Sequence, residues 1–311
     1  MSNLFYKVKS VLLTAVLVCM SIMVVSCAKD ETSTDIADRA KVGFSVSATK
    51  ESAIVVGHSR ADCVTCSCLP LTGGDKSMCL HVTTEEGIAA SDISRATPIT
   101  EATIADAGVL AFNFNGDWNE SLRPDFMYDV RIAKTSGWAT DYYYPNNNSK
   151  VRFYAYSPYG CKGAVLSGKN ETGIPTIRYT VPAAVGEQYD LMCAVSDDIV
   201  AKTATGQTPL VFRHALSAVK FVTGDDIAEG TIKSIALKGV FDSGVCTLGD
   251  VPVWRTDNST ANFSQTLDKS VSGDADEPIT AASQTFMMIP QTLPAGATVE
   301  VVINDGTEHT L

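Results

Sequence analysis

Histidine is scarce in this chain of 311 residues, which has only His58, His81, His214 and His309. The sequence also contains no G-x-S-x-G, H-E-x-x-H, P-loop or G-x-G-x-x-G motif, so hydrolytic, zinc-dependent and nucleotide chemistry have no recognisable site. His214 lies in the apolar segment FRHAL, a setting that is typical of a structural histidine. We therefore predict that the protein is not an enzyme and needs no cofactor.

Basic residues are in deficit as well. Lysine and arginine number 24 against 35 acidic residues, which gives a net charge of −11. The first 26 residues contain Lys7 and Lys9 and no acid, so their removal lowers the net charge from −11 to −13. A charge of this sign repels nucleic acid and anionic lipid headgroups, and we exclude nucleic acid as a partner.

Long apolar runs are absent after residue 25, where no stretch approaches the roughly 18 residues of a membrane-spanning helix. The run at 11–25 has fifteen residues and follows two lysines, as in the core of a signal peptide. It ends in VVSC, which resembles the bacterial lipobox, where the cysteine (here Cys27) is acylated after cleavage just before it. The following AKDE resembles the signal that sends Bacteroidetes lipoproteins to the outer face of the outer membrane. These residues predict a surface lipoprotein, and a plain secretory signal with an incidental cysteine is the alternative.

Helical periodicity is nearly absent, since only 97–107 and 215–222 could form short helices, and the β-branched residues of the second favour a strand. Alternation with period two dominates instead. The predicted strands are 41–48, 53–57, 78–83, 107–114, 126–133, 150–158, 175–181, 189–195, 209–222, 231–240, 283–290 and 298–304. Turn-forming segments such as NFNGD and YPNNNS separate them. The pattern predicts an all-β chain of antiparallel β-sandwiches.

The last segment, TVEVVINDGTEHTL, predicts a strand, a type I′ turn at Asp305 and Gly306, and four residues of a return strand. A sandwich that stopped there would have a half-built hairpin. We therefore expect the second domain to be truncated, with a frayed natural terminus as the alternative.

Five segments occur in a recognisable order: SRATPIT, AGVLAFNF, YYYPNNNSKVRFYAYSPYG, IRYTVPAAVGEQYDLMCAVS and PLVFRHALSAVKF. This order resembles the fimbrillin-like proteins of Bacteroidetes, the type V pilin group related to the major and minor fimbrial subunits. The resemblance implies two tandem transthyretin-like β-sandwiches with a boundary near Pro209. The expected organisation is a signal peptide at 1–26, a polar tether at 27–39, an N-terminal sandwich at 40–208 with a cysteine-rich insert at 49–94, and an incomplete C-terminal sandwich at 209–311.

The same resemblance implies a structural subunit of a surface fimbria that serves adhesion. Such a subunit is exported as a lipoprotein precursor, loses an N-terminal strand to a protease, and polymerises by donor-strand exchange. The expected partners are other pilin subunits, the outer membrane through the lipid on Cys27, and host or microbial surface ligands. The expected location is the outer face of the outer membrane, and the fimbria after processing.

The strand at 41–48 is the candidate for the removable strand. Val42, Phe44, Val46 and Ala48 alternate with polar residues and glycine, so all four face the same way. We interpret this strand as a placeholder in a groove of the N-terminal sandwich.

The resemblance also implies that an arginine before a small residue is the processing site, and Arg95 fits because it lies in a polar segment without strand pattern. Arg60 and Arg39 are alternatives. Cleavage after Arg39 would keep the placeholder strand on the subunit.

Four cysteines, Cys63, Cys66, Cys68 and Cys79, lie within seventeen residues. Four thiolates could enclose a structural zinc, whereas an oxidising export route favours disulfides, and unpaired thiols are the third alternative. We favour disulfides and predict no metal. The sequence also has Cys161, Cys193 and Cys246 in or beside predicted strands, and we expect these three to be small buried hydrophobic residues.

Aromatic residues suggest a second functional class, a surface lipoprotein that binds glycans or other ligands and does not polymerise. Trp118, Trp138, the tyrosines at 142–144 and Trp254 could form platforms on which sugars stack. The simpler interpretation is that these residues pack against the sandwich.

Overall fold

The computed structural model describes residues 39–52, 67–72, 78–82, 100–224, 227, 229–280 and 284–311. Strands and loops make up nearly all of this part, with 3₁₀ turns at Lys134–Ser136, Val185–Glu187 and Ala201–Thr203. The described residues from Ala40 to Leu311 form one compact unit. Within the described ranges, no helix is long and apolar enough to cross a membrane. The predicted all-β class is confirmed.

The strands are numbered in chain order. The first ten are β1 (Lys41–Ser52), β2 (Ser67–Leu71), β3 (Met78–Val82), β4 (Asp106–Phe114), β5 (Met127–Ala133), β6 (Ala139–Tyr143), β7 (Lys150–Ser157), β8 (Ala164–Leu166), β9 (Thr176–Thr180) and β10 (Met192–Val195). The others are β11 (Ile199–Val200), β12 (Thr208–His214), β13 (Ser217–Val219), β14 (Gly230–Phe241), β15 (Ser243–Thr247), β16 (Val253–Thr256), β17 (Thr260–Val271), β18 (Phe286–Met288), β19 (Thr298–Asn304) and β20 (Glu308–Thr310).

An eight-stranded sheet contains the order β5-β4-β7-β10-β12-β1-β6, with β11 paired to β7. Two four-stranded sheets have the orders β17-β14-β19-β20 and β16-β15-β9-β8, and β2-β3 and β13-β18 form separate pairs. Among the strand pairs of the described residues, β1–β12 alone is parallel.

Both faces of the eight-stranded sheet are buried, because alternate residues of its strands enter different hydrophobic cores. One cluster, here called the β1 core, contains Phe44, Phe153 and Phe212. The other, here called the central core, contains Tyr154 and Phe263. This arrangement explains why β4 is buried along almost its whole length.

Strands from both sides of position 208 share sheets. The predicted domain boundary between residues 208 and 209 falls at the start of β12, which pairs with β10 and β1 in the eight-stranded sheet. The strand β9 pairs with β15, although β15 lies beyond that boundary. The division into two sandwiches stays a prediction.

The C-terminal hairpin forms as predicted, but its turn differs in type. Asn304 pairs with Glu308, so three residues form the loop. Gly306 has a φ of 113°, and Asp305 is not among the residues with positive φ. A type I′ turn requires positive φ at both central residues, so that part of the prediction is wrong.

Candidate functional site

The strand β1 lies between two strands that are distant from it in sequence. Its first residues pair with β6, with Lys41 opposite Tyr143 and Gly43 opposite Ala139. From Phe44 onward it runs parallel to β12. The strand therefore joins β6 to the rest of the eight-stranded sheet.

The apolar face of β1 points into the β1 core. Val42 and Phe44 are 0% and 1% exposed, and Val46 and Ala48 are partly buried against the same core. The Phe44 ring meets Phe153 edge to face, with centroids 5.1 Å apart. The face that the alternation predicted is the one that is buried.

Backbone contacts fix the first half of β1. The Phe44 amide donates to the Trp138 carbonyl at 3.2 Å, and the Thr140 hydroxyl donates to the Val42 carbonyl at 2.8 Å. A Cβ atom on Gly43 would lie 2.8 Å from the Gly206 carbonyl oxygen, closer than real Cβ contacts allow. This close approach requires glycine at position 43.

Tyr144 connects the two neighbours of β1. Its amide donates to the Ala40 carbonyl at 3.0 Å, and its hydroxyl hydrogen-bonds to the Thr208 hydroxyl at 2.6 Å. Burial raises the pKa of Tyr144, while the hydrogen bond with Thr208 partly opposes that rise. Tyr144 is therefore a neutral buried contact beside the strand. No local pattern predicts this role of Tyr144, because its partners Ala40 and Thr208 are distant from it along the chain.

Most of the predicted processing and modification residues, Cys27, Arg60, Cys63, Cys66 and Arg95, lie outside the described residues. Their roles stay predictions.

Arg39 is partly buried and lies two residues before β1 begins. In the β2–β3 pair, Cys68 is opposite His81 and Cys79 is opposite Pro70, so the two cysteines are not direct cross-strand partners. Within the described ranges, no group of three or more His, Cys, Asp or Glu residues could hold a metal ion.

The aromatic residues of the ligand-binding hypothesis are mostly packed. Trp118 contacts Phe112 at 5.0 Å between centroids, and the Arg152 guanidinium lies 4.7 Å above the Trp118 ring. The indole Nε1 of Trp254 donates to the Ala215 carbonyl, and Trp138 packs against the β1 core. These contacts favour the packing interpretation for all three tryptophans.

Within the tyrosine run at 142–144, Tyr142 and Tyr143 are each 38% exposed. A separate cleft of about 360 Å³ is lined by Arg152, Asp197 and Asp198 among others. The Nε of Arg152 donates to Asp198 at 2.7 Å, so these two charges of the cleft are paired with each other.

Three comparisons relate the chain to known proteins. A family model described as fimbrillin-like matches residues 102–311. The fimbrium subunit Fim1C of Phocaeicola vulgatus is 29% identical over 192 residues, which cover 54% of this chain and only 50% of that protein. A crystal structure of a fimbrial protein from Bacteroides vulgatus has a TM-score of 0.51 and 17% identity, and the match covers 66% of this chain and 80% of that one. At that identity the structural likeness concerns the fold alone.

Proposed function

The chain belongs to the fimbrillin-like family, and we propose that it is a structural subunit of a surface fimbria in which β1 is replaced by a strand of the next subunit. The observation that carries the proposal is the position of β1 between β12 and β6, with its apolar face in the β1 core. Residues 53–105 separate β1 from β4 along the chain. A cut in that connection would leave β1 held by noncovalent contacts alone.

Removal of β1 would expose a groove that another strand can refill. Full burial of side chains such as Val42 and Phe44 contributes about 1.5–3 kcal/mol each, as an upper estimate. The unpaired backbone groups of β12 would also form an open sheet edge, which proteins usually cover. A strand from a second subunit can pair with that edge and fill the same pockets with alternate side chains.

The parallel pairing of β1 with β12 favours such an exchange. Parallel pairs are slightly less stable per residue than antiparallel pairs, and the other pairs among the described residues are antiparallel. We infer that the donated strand runs antiparallel to β12. The exchanged polymer would then be more stable than the precursor.

Anchoring and processing complete the proposal. The precursor carries a lipid on Cys27 and is displayed on the outer face of the outer membrane. Cleavage after Arg95 detaches residues 27–95, so it releases the subunit from its lipid and opens the groove in the same step. The fimbria then serves adhesion, and we assign the chain no catalytic role.

Polymerisation is tested on cells that express the precursor. Wild-type cells should give ladders that resist SDS, and Arg95→Ala should abolish them because β1 cannot leave. Arg60→Ala and Arg39→Ala are matched controls that should leave the ladders unchanged. A wild-type protein that stays monomeric while it binds strongly to a glycan array would replace this proposal with the ligand-binding alternative.

Anchoring is tested separately with Cys27→Ala. This variant should accumulate as unprocessed precursor or leave the outer membrane fraction. Full retention of Cys27→Ala in the outer membrane would contradict acylation at this residue.

A further inference from the structure

Three cysteines of the described residues have buried side chains, and two of them meet in the central core. Cys193 lies on β10 of the eight-stranded sheet and is 1% exposed. Cys246 lies on β15 of a four-stranded sheet and is 0% exposed. Both side chains belong to the central core, and the contact with Cys246 is the first cause that raises the pKa of the Cys193 thiol, so the two side chains are neighbours across the interface between the sheets.

Neighbouring contacts show that the two sheets approach each other at this point. Cys246 pairs with Trp254 on β16, and the indole of Trp254 donates to the Ala215 carbonyl just after β12. Cys193 in turn pairs with Arg213 on β12. The two cysteines therefore flank a hydrogen bond between the sheet of β15 and the residue that follows β12.

We propose that Cys193 and Cys246 form a disulfide bond that joins the eight-stranded sheet to the sheet of β15 in the exported protein. The proposal rests on the export part of the proposed function, because disulfides persist in oxidising compartments and are rare in the cytosol. The bond requires the sulfurs to approach from contact to about 2.05 Å. It would close a loop of residues 193–246.

The oxidant is a thiol–disulfide oxidoreductase of the export compartment, in its disulfide form. The Cys193 thiolate attacks one sulfur of that disulfide and forms a mixed disulfide. Cys246 then attacks the Cys193 sulfur, and the oxidoreductase leaves as a dithiol with the two electrons. The two cysteines lose two protons in the process.

Oxidation takes place before the central core closes. In the folded chain, the hydrogen bond to Cys246 and burial both raise the pKa of the Cys193 thiol well above its usual value. The reactive thiolate is therefore scarce, and solvent does not reach it. Once formed, the bond is shielded from reductants by the same burial.

The experiment maps thiols in the full chain from cells whose surface has been labelled with a membrane-impermeant biotin reagent. Cells are lysed in denaturant that contains iodoacetamide, so that buried free thiols are also blocked, and the biotinylated protein is digested with trypsin without reductant. Tryptic peptides 179–202 and 239–255 each contain one cysteine, Cys193 and Cys246 respectively. The expected product joins these two peptides, and dithiothreitol separates them.

Recovery of both peptides singly and alkylated from biotinylated protein would overturn the disulfide. Absence of any biotinylated chain would instead overturn the proposed surface location. In that case the purified chain is refolded in a glutathione redox buffer, and its tryptic peptides are mapped in the same way. Joined peptides would support the disulfide, and separate alkylated peptides would overturn it.

A matched pair of variants measures the effect of the cross-link. Cys246→Ala and Cys161→Ala each remove one buried thiol, but only the first removes the bond. The melting temperature of Cys246→Ala should be lower than that of Cys161→Ala by roughly 5–10 °C. Equal melting temperatures would contradict a stabilising cross-link.

Discussion

Phe44 and Ser45 are adjacent in β1 and have opposite environments. Phe44 is 1% exposed and contacts the Phe153 ring, whereas Ser45 is exposed to solvent. Phe44→Ala should lower the free energy of unfolding of the precursor by about 3–5 kcal/mol, because it leaves a cavity in the β1 core. Ser45→Ala is the control and should change it by less than about 0.5 kcal/mol. Denaturant unfolding measures both, and equal losses would contradict an inserted strand with one apolar face.

The contact between Gly43 and the Gly206 carbonyl supports a second prediction at the residue scale. Gly43→Ala would place a Cβ 2.8 Å from backbone oxygen, so β1 must shift, and we expect a loss of about 1–3 kcal/mol. Gly186→Ala is the matched control, because no atom lies within 4 Å of the added Cβ. Thermal unfolding of the two variants compares them. A Gly43→Ala protein as stable as the control would show that the strand is not tightly held there.

The residues of β1 divide into those that sequence predicts and those that it does not. Val42 and Phe44 are predicted because their alternation is local, and a strand exposes alternate residues to one face. The requirement for Gly43 depends on Gly206, more than 160 positions away, and no local pattern contains that information. The hydrogen bond of Tyr144 to Thr208 is missed for the same reason.

At the scale of elements, two strands were predicted well, because β4 and β7 lie within one residue of their expected bounds. The predicted strand at 209–222 is instead two strands, β12 and β13, in different sheets. Between β12 and β13, the Ala215 amide donates to the Leu191 carbonyl outside the strand pairing. The apolar run of the sequence continues through this position, so no local pattern indicates the change of sheet.

Seven strands were not predicted, namely β2, β6, β8, β11, β15, β16 and β17, and two of them show different reasons. The strand β2 contains Pro70, which cannot donate to a ladder and argues against a strand in sequence analysis. The strand β17 buries Gln265 at an inward position, and its side chain donates to the Gln284 carbonyl. A polar residue on the buried face weakens the apolar alternation that identifies a strand.

The pairing and packing contacts of β1 with the rest of the sheet give a prediction for the whole strand. A chain that begins at Ala96 lacks β1 and should bind a synthetic peptide of residues 41–52, KVGFSVSATKES. The same peptide with aspartate in place of Phe44 is the control and should not bind, because a charge in the groove would be buried without a partner. Isothermal calorimetry measures both peptides. Equal binding, or binding of neither to a folded chain, would contradict a groove that accepts a β1-like strand.

At the scale of the whole molecule, the all-β class and the family follow from the sequence, and the match over residues 102–311 agrees with them. The sequence does not predict that strands from the two sides of position 208 share sheets. The strand β12 pairs with β10 and β9 pairs with β15, so both pairs cross that position. Sequence patterns specify which residues form strands, whereas pairing over long separations depends on packing of the complete chain. Because β1 joins the edge strand β6 to β12, the eight-stranded sheet depends on β1, and the proposed mechanism of assembly uses that dependence.

The central claim is that assembly begins when the segment that carries β1 is cut away. The measurement that tests it most directly is the N-terminal sequence of subunits recovered from SDS-resistant polymers. We predict that these subunits begin at Ala96, with both the lipid and β1 removed. A start at Ala61 would move the cut to Arg60 while keeping the mechanism. Assembled subunits that still begin at acylated Cys27 would contradict it.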